Sequence, residues 1–130
     1  MKTPLETEEQ QKLIQWLRIK KLMYWATPNG AVLKGSKLQR VKQMSKLKKE
    51  GLVNGVSDVI VMLPNKILFI EMKRQKKKLT TGKMSSTSIS VSDEQKSFLK
   101  KVNGFDYAHG IIAYGFNEAM EFIEKEIVER

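Results

Sequence analysis

The sequence predicts one mixed α/β domain, a central mixed sheet flanked by helices. Three observations carry that expectation. The chain has 130 residues, enough for one modest core and too few for two. Segments with helical spacing alternate with short apolar runs, the pattern of a sheet covered by helices. Two adjacent apolar runs are separated only by Pro64-Asn65, which makes them a hairpin at the centre of the chain.

The first helix is expected over residues 7–21, where Leu13, Ile14, Trp16, Leu17 and Lys20 recur at helical spacing. Residues 22–26 are short and aromatic-rich, Thr27-Pro28-Asn29-Gly30 supplies turn chemistry, and residues 31–33 are expected to return as a strand. A second helix fits residues 37–49, with Leu38, Val41, Met44 and Leu47 on a helical stripe and Gly51 as its stop. Residues 56–63 and 66–73, rich in Val, Ile and Phe, form the hairpin strands. The Ser/Thr-rich stretch 80–92 is a loop. Ser92-Asp93-Glu94-Gln95 then starts a helix, with Ser92 as N-cap and Gln95 at the capping-box position, running through Phe98, Leu99 and Val102 to a stop at Gly104. Residues 107–114 read as a strand and 116–128 as a closing amphipathic helix with Ala119, Phe122, Ile123 and Ile127 inward.

Hydrophobic residues at 41% and charged residues at 29% are globular composition and exclude a disordered chain. Cysteine is absent, so there is no disulfide framework and no thiolate metal site. With a polar, acidic N-terminus and no membrane-length apolar stretch, the expected setting is a reducing cytoplasm, with no membrane partner. No Gly-rich phosphate loop is present, so no nucleotide cofactor is expected.

The net charge of +10 points to a polyanionic partner. It is concentrated in two runs: Lys34, Lys37, Arg40, Lys42, Lys46, Lys48 and Lys49, then Lys73, Arg74, Lys76, Lys77, Lys78 and Lys83. Lys42, Lys46, Lys49, Arg74 and Lys76 are therefore candidate nucleic-acid contacts. A lysine-rich helix alone is commonly just a solvated face; two runs flanking a carboxylate pair argue for more.

That pair follows from the register of the hairpin. With the turn centred between Pro64 and Asn65, Asp58 lies opposite Glu71, and directly opposed side chains have Cβ atoms about 4.5–5.5 Å apart. Two carboxylates so close repel unless a divalent cation binds them. Lys73, two residues past Glu71, points to the same face and can hold a water or meet charge developing on a phosphate. The Met72 carbonyl lies between the two side chains and is a further candidate ligand. A Glu-x-Lys triplet alone is usually a strand end with a surface ion pair. Here it ends an apolar strand, faces an acid and leads into a basic run. Such a site suits phosphodiester hydrolysis with Mg²⁺ or Mn²⁺.

Gly55-Val56-Ser57-Asp58 followed by Ile70-Glu71-Met72-Lys73 resembles the paired signature of the PD-(D/E)XK nucleases. More narrowly, these motifs with Ser92-Asp93-Glu94-Gln95, the Glu6-to-Gln10 start of the first helix and the Pro28-Asn29-Gly30 turn resemble the VRR-NUC family, in its small stand-alone phage or bacterial type. The likeness runs from Glu6 to about Ile123, and Ser57 stands where Pro often precedes the aspartate. The resemblance implies a restriction-endonuclease-like fold over residues 1–130, Asp58 and Glu71 as metal ligands, Lys73 as the catalytic lysine and Gln95 as an accessory polar residue. It adds Glu6 and Gln10 from the first helix, with Glu9 as the alternative to Glu6. The implied activity is a DNA endonuclease in a bacterial or phage-infected cell, a homodimer acting on branched DNA such as a four-way junction. The alternative is a binding module that keeps the fold and does not cut. A ribosomal or structural RNA-binding protein is a third reading that the net charge alone allows. For the dimer contact, the segment 22–33 with Trp25 is expected to contribute an edge. His109 is expected to be structural, and Trp16 and Phe105 to be core residues rather than base-stacking platforms.

Overall fold

The computed structural model describes residues 3–27, 33–76 and 90–128. The elements run α1 (Glu6–Ile19), β1 (Met23–Ala26), α2 (Lys37–Lys49), β2 (Val59–Leu63), β3 (Lys66–Lys73), α3 (Asp93–Val102), β4 (Ala108–Tyr114) and α4 (Phe116–Val128). This is the mixed α/β order expected. The expected strand at 31–33 and the loop at 80–92 fall largely outside the described residues, and Leu33 belongs to no strand. No helix among the described residues is long and apolar enough to cross a membrane.

The sheet has the order β1-β2-β3-β4. The β1–β2 and β2–β3 pairs are antiparallel, whereas β3 and β4 run parallel and are separated in sequence by α3. Leu63 pairs with Lys66, so Pro64-Asn65 is a two-residue turn. β2 begins three residues later than expected, at Val59. The ladder stops there because the Met72 N–H is taken by the side chain Oδ2 of Asp58, 2.7 Å away, instead of by a backbone carbonyl.

The two faces of the sheet are covered unequally. Val59, Val61, Leu68, Ile70, Met72 and Ala113 turn toward Leu13 and Leu17 of α1 and Ala119 and Ile123 of α4, and all are fully buried. Each of the Val, Leu, Ile and Met side chains among them contributes about 1.5–3 kcal/mol relative to exposure. On the opposite face, among the described helices, α3 packs against β3 and β4. Phe98 meets Phe69 edge-on at 5.8 Å, and a Cβ at Gly110 would lie 2.6 Å from Leu99, so β4 carries glycine where α3 crosses it.

One expectation is met here and one fails. Helix α2 forms over the expected residues, with Ser36 accepting from the Gln39 N–H and Gln39 Oε1 from the Ser36 N–H, yet none of its residues is buried. Leu38 and Val41 of its stripe are 64% and 57% exposed, whereas Met44 and Leu47 are half-buried. Phe105, expected in the core, is instead 54% exposed, with its ring beside that of Tyr107. Trp16 does pack at the edge of the core, against Phe116. His109 Nδ1 lies 3.1 Å from Glu126, which also accepts from Lys66 Nζ at 2.8 Å. Burial acts to raise the Glu126 pKa, and hydrogen bonds from Lys66 and His109 outweigh it, leaving the group below its ordinary value.

Glu9 is a buried acid with a structural duty. Its carboxylate accepts from the Phe116 N–H at the start of α4 and from Gln75 Nε2 at 3.0 Å. It thus joins α1, the end of β3 and the helix-start amides of α4, where a negative charge is favoured. Gly115 lies against it with φ +96, a conformation and a gap that a side chain would not fit. Replacing Glu9 with Ala is expected to cost about 1–3 kcal/mol, since the half-buried Phe116 N–H and the Gln75 amide lose a buried charged acceptor. Urea denaturation measures this, and an unchanged midpoint would remove the clamp.

Candidate active site

Asp58 and Glu71 come together where β2 and β3 diverge. The register Val59↔Ile70 continues outward to place Asp58 against Glu71, and both are buried, at 8% and 1% exposure. Asp58 is held by the Met72 N–H on one oxygen, and its own carbonyl accepts from the Thr27 N–H at 2.9 Å. Lys73 Nζ stands 3.9 Å from Glu71 Oε1. Within a strand the N–H and C=O of one residue point to the same edge, so the Met72 carbonyl also faces the side from which Asp58 approaches.

Gln95 reaches this pair from α3. Its Oε1 accepts from the Ser92 N–H at 3.0 Å, closing the capping box, while its Nε2 donates to Glu71 Oε1. One amide therefore caps the helix at one end and holds the carboxylate at the other. The approach depends on Gly55, which has φ +84 and lies so near α3 that a Cβ would sit 2.4 Å from the Glu94 carbonyl. The Gly-x-x-Asp spacing thus has a local cause: only glycine lets the lead-in to β2 pass the start of α3 and still deliver Asp58 three residues later.

Burial, and then the neighbouring Asp58 carboxyl, push Glu71 up to about 8, against the opposing pull of Lys73. Among the described residues, Glu71 Oε2 is buried with no hydrogen-bond donor against it, beside the Asp58 carboxyl. An orphaned carboxylate oxygen beside a second acid fits a hard, oxygen-ligated cation, which would both neutralise the pair and take up the free oxygen. Glu6 is raised by burial and by the charge of Asp58, with Lys73 opposing, so it lies within the field of the same groups. Among the described residues no group of three or more His, Cys, Asp or Glu side chains is close enough to hold one ion. The carboxylate site is a pair with Glu6 nearby.

The remaining candidates separate. Glu9 is committed to α4, as above. Gln10 lines a shallow hollow on α1 with Thr7, Ile14 and Arg18. Lys42, Lys46 and Lys49 are exposed on α2, with Lys46 Nζ 3.9 Å from Glu50. Arg74 does not project freely: its guanidinium donates to the carbonyls of Thr3 at 2.8 Å and Pro4 at 3.1 Å, tying the lead-in of α1 to the end of β3. Lys76 lies over the Tyr114 ring, 4.2 Å from its centre. Lys77, Lys78 and Lys83 lie outside the described residues. Sequence reasoning missed Tyr114, which pairs with Lys73 across the parallel strands, and Thr27, whose hydroxyl donates to the Ser57 carbonyl. Parallel register between strands far apart in sequence leaves no spacing signal. The Thr27 contact joins β1 to the loop before β2, which the turn chemistry around Pro28 does not disclose.

No family model matches the sequence, and no curated protein is similar to it in sequence. The structure is similar to a solved protein described as a VRR_NUC domain protein, with a TM-score of 0.68 and 17% identity over 96% of this chain and 89% of that one. The chain therefore shares the fold of that VRR_NUC domain protein, a mixed four-stranded sheet flanked by helices.

Folded Glu71 holds its proton up to about pH 8, whereas the unfolded chain releases it near 4.5, so the metal-free fold loses stability as pH rises between those values. Glu71→Gln keeps the acceptor for Gln95 and removes the charge. It is expected to flatten that dependence and to raise stability at pH 8 by roughly 2–4 kcal/mol. Parallel pH profiles of the thermal midpoint for the two proteins would refute the assignment.

Proposed function

We propose that the chain is a metal-dependent endonuclease that hydrolyses phosphodiester bonds in DNA. The observation that carries this is the buried Asp58–Glu71 carboxyl pair with Lys73 beside it, at one end of an otherwise apolar strand pair. Asp58, Glu71 and the Met72 carbonyl would hold Mg²⁺ or Mn²⁺. A cation bound there polarises the scissile phosphate and makes water a better nucleophile near neutral pH. Lys73 positions the attacking water and meets the negative charge that grows on the phosphate. Gln95 keeps Glu71 turned toward the site, and the Met72 N–H does the same for Asp58. Glu6 adds a carboxylate at the rim, and Arg74 positions Glu6 by anchoring the residues before it. Lys42, Lys46, Lys49 and Lys76 contact the flanking backbone. The fold likeness supports the reading without naming a substrate.

Within this reading the substrate is branched DNA and the working unit a homodimer. One carboxylate pair cuts one strand at a time, and a two-fold dimer offers two such sites to the two strands of a junction.

Cleavage of a four-way junction is expected to require Mg²⁺ or Mn²⁺ and to fall about a hundredfold or more in Asp58→Asn, Glu71→Gln and Lys73→Ala, with Gln95→Ala losing about tenfold. Far-ultraviolet circular dichroism checks that each variant is folded. Full cleavage in EDTA overturns the metal site, and binding without cleavage by the unaltered protein leaves a non-cutting module. Affinity should fall steeply with salt and vary little with sequence, and replacing Lys42, Lys46 and Lys49 by Gln should lower the log–log salt slope by about two to three. An unchanged slope would make those lysines a solvated face.

A further inference from the structure

Among the described residues, two surfaces are left largely uncovered, and they are complementary. The first is α2. A 13-residue helix is marginal in water unless one face is covered, yet among the described residues this one no more than half-buries Met44 and Leu47 and leaves Leu38 and Val41 open. Leu38, Val41, Ser45 and Lys48 follow one another three or four residues apart and form a single line along the helix. The second is a groove of about 670 Å³ between β3 and α3, floored by Phe69, Phe98 and Val102 and walled by Val53, Phe105 and Tyr107. Its last three residues are more than half exposed.

Charge and length say what fits the groove. Helix α2 carries six basic residues and no acid. Among the residues lining the groove, Asp93 and Glu94 mark the start of α3, with Lys101 the single basic group. An apolar channel with an acidic end selects a basic amphipathic helix rather than a nucleic-acid backbone, which those carboxylates would repel. At about 1.5 Å per residue, α2 is about 20 Å long and α3, which forms one side of the channel, about 15 Å. The helix of the same chain does not lie in the channel: Val53 and Asn54, just past its end, already form one edge of it.

We infer that the groove between β3 and α3 receives helix α2 of a second copy of this chain, and that the exchange is reciprocal about a two-fold axis. The arrangement rests on the dimer proposed above and specifies its contact. It covers both apolar surfaces at once, whereas a one-sided partner would leave one of them open. Lys42 and Lys46 lie on an adjacent face of α2 and remain available beside the seam. The contact differs from the edge expected from sequence, although Trp25 and Met23 lie on the same face of the sheet as the groove.

Because the chain has no cysteine, the contact can be read directly. Val41→Cys and Tyr107→Cys, each at an exposed position outside the carboxylate site, are purified separately, mixed and treated with a short bis-maleimide. The mixture is expected to yield several-fold more covalent dimer than either variant alone. In light scattering, Leu38→Glu/Val41→Glu should raise the dimer dissociation constant at least tenfold with unchanged circular dichroism. A dimer that ignores both changes and shows no excess cross-link in the mixture overturns the proposed seat. A monomer at micromolar concentration overturns the seat and the dimer together. Metal-dependent cleavage by the same samples separates either failure from failure of the nuclease reading.

Discussion

Burying two carboxyl groups side by side is the constraint on which the rest of this structure depends. Asp58 and Glu71 face each other across a hairpin whose other residues are almost wholly apolar. In the absence of a cation their mutual repulsion is relieved by a proton retained on Glu71 to about pH 8. Such a site is costly to the fold and useful to chemistry for the same reason. The environment that disfavours two charges is the one in which a doubly charged ion has the most to gain.

The surrounding architecture keeps that pair from relaxing. Gly55 admits α3 close enough for Gln95 to hold Glu71, and Met72 offers Asp58 a backbone donor that would otherwise have extended the ladder. On the other side Arg74 fixes the residues before α1, and Glu9 fixes α1 to the first amides of α4. The charged and polar groups near the end of β3 therefore divide the labour. Glu71, Lys73 and Asp58 share the site, while Glu9, Gln75 and Arg74 hold the elements that carry it. Two acids three residues apart on α1 end up in different environments: Glu6 lies in the field of Asp58 and Lys73, whereas Glu9 accepts from Gln75 and the Phe116 N–H.

The legible part of the sequence was the part governed by local geometry. A two-residue turn and a side-chain period of two determine which residues oppose each other, so Asp58 and Glu71 could be paired before any coordinates. The capping box at Ser92 and Gln95 was equally local. What the pattern could not decide was tertiary. The phase of α1 over the sheet separates Glu6 from Glu9. The stripe on α2 has helical spacing whether or not anything covers it. Phe105 looks like a core residue until the turn before β4 carries it outward. Arg74 belongs to a basic run by sequence and to a structural clamp by geometry. Its partners are carbonyls some seventy residues away, and backbone acceptors leave no signature in side-chain identity.

The mixed pairing of the sheet has a consequence for how the chain assembles. β2 and β3 are joined by a two-residue turn and can meet as a local hairpin within microseconds, whereas β3 and β4 pair in parallel across some forty intervening residues. The two acids are thus brought together in the earliest contact the chain can make, and the groups that orient them arrive only when the distant strand and its helix dock. The carboxyl pair is therefore open to water when the hairpin first forms, and the burial that raises Glu71 comes only with those later contacts.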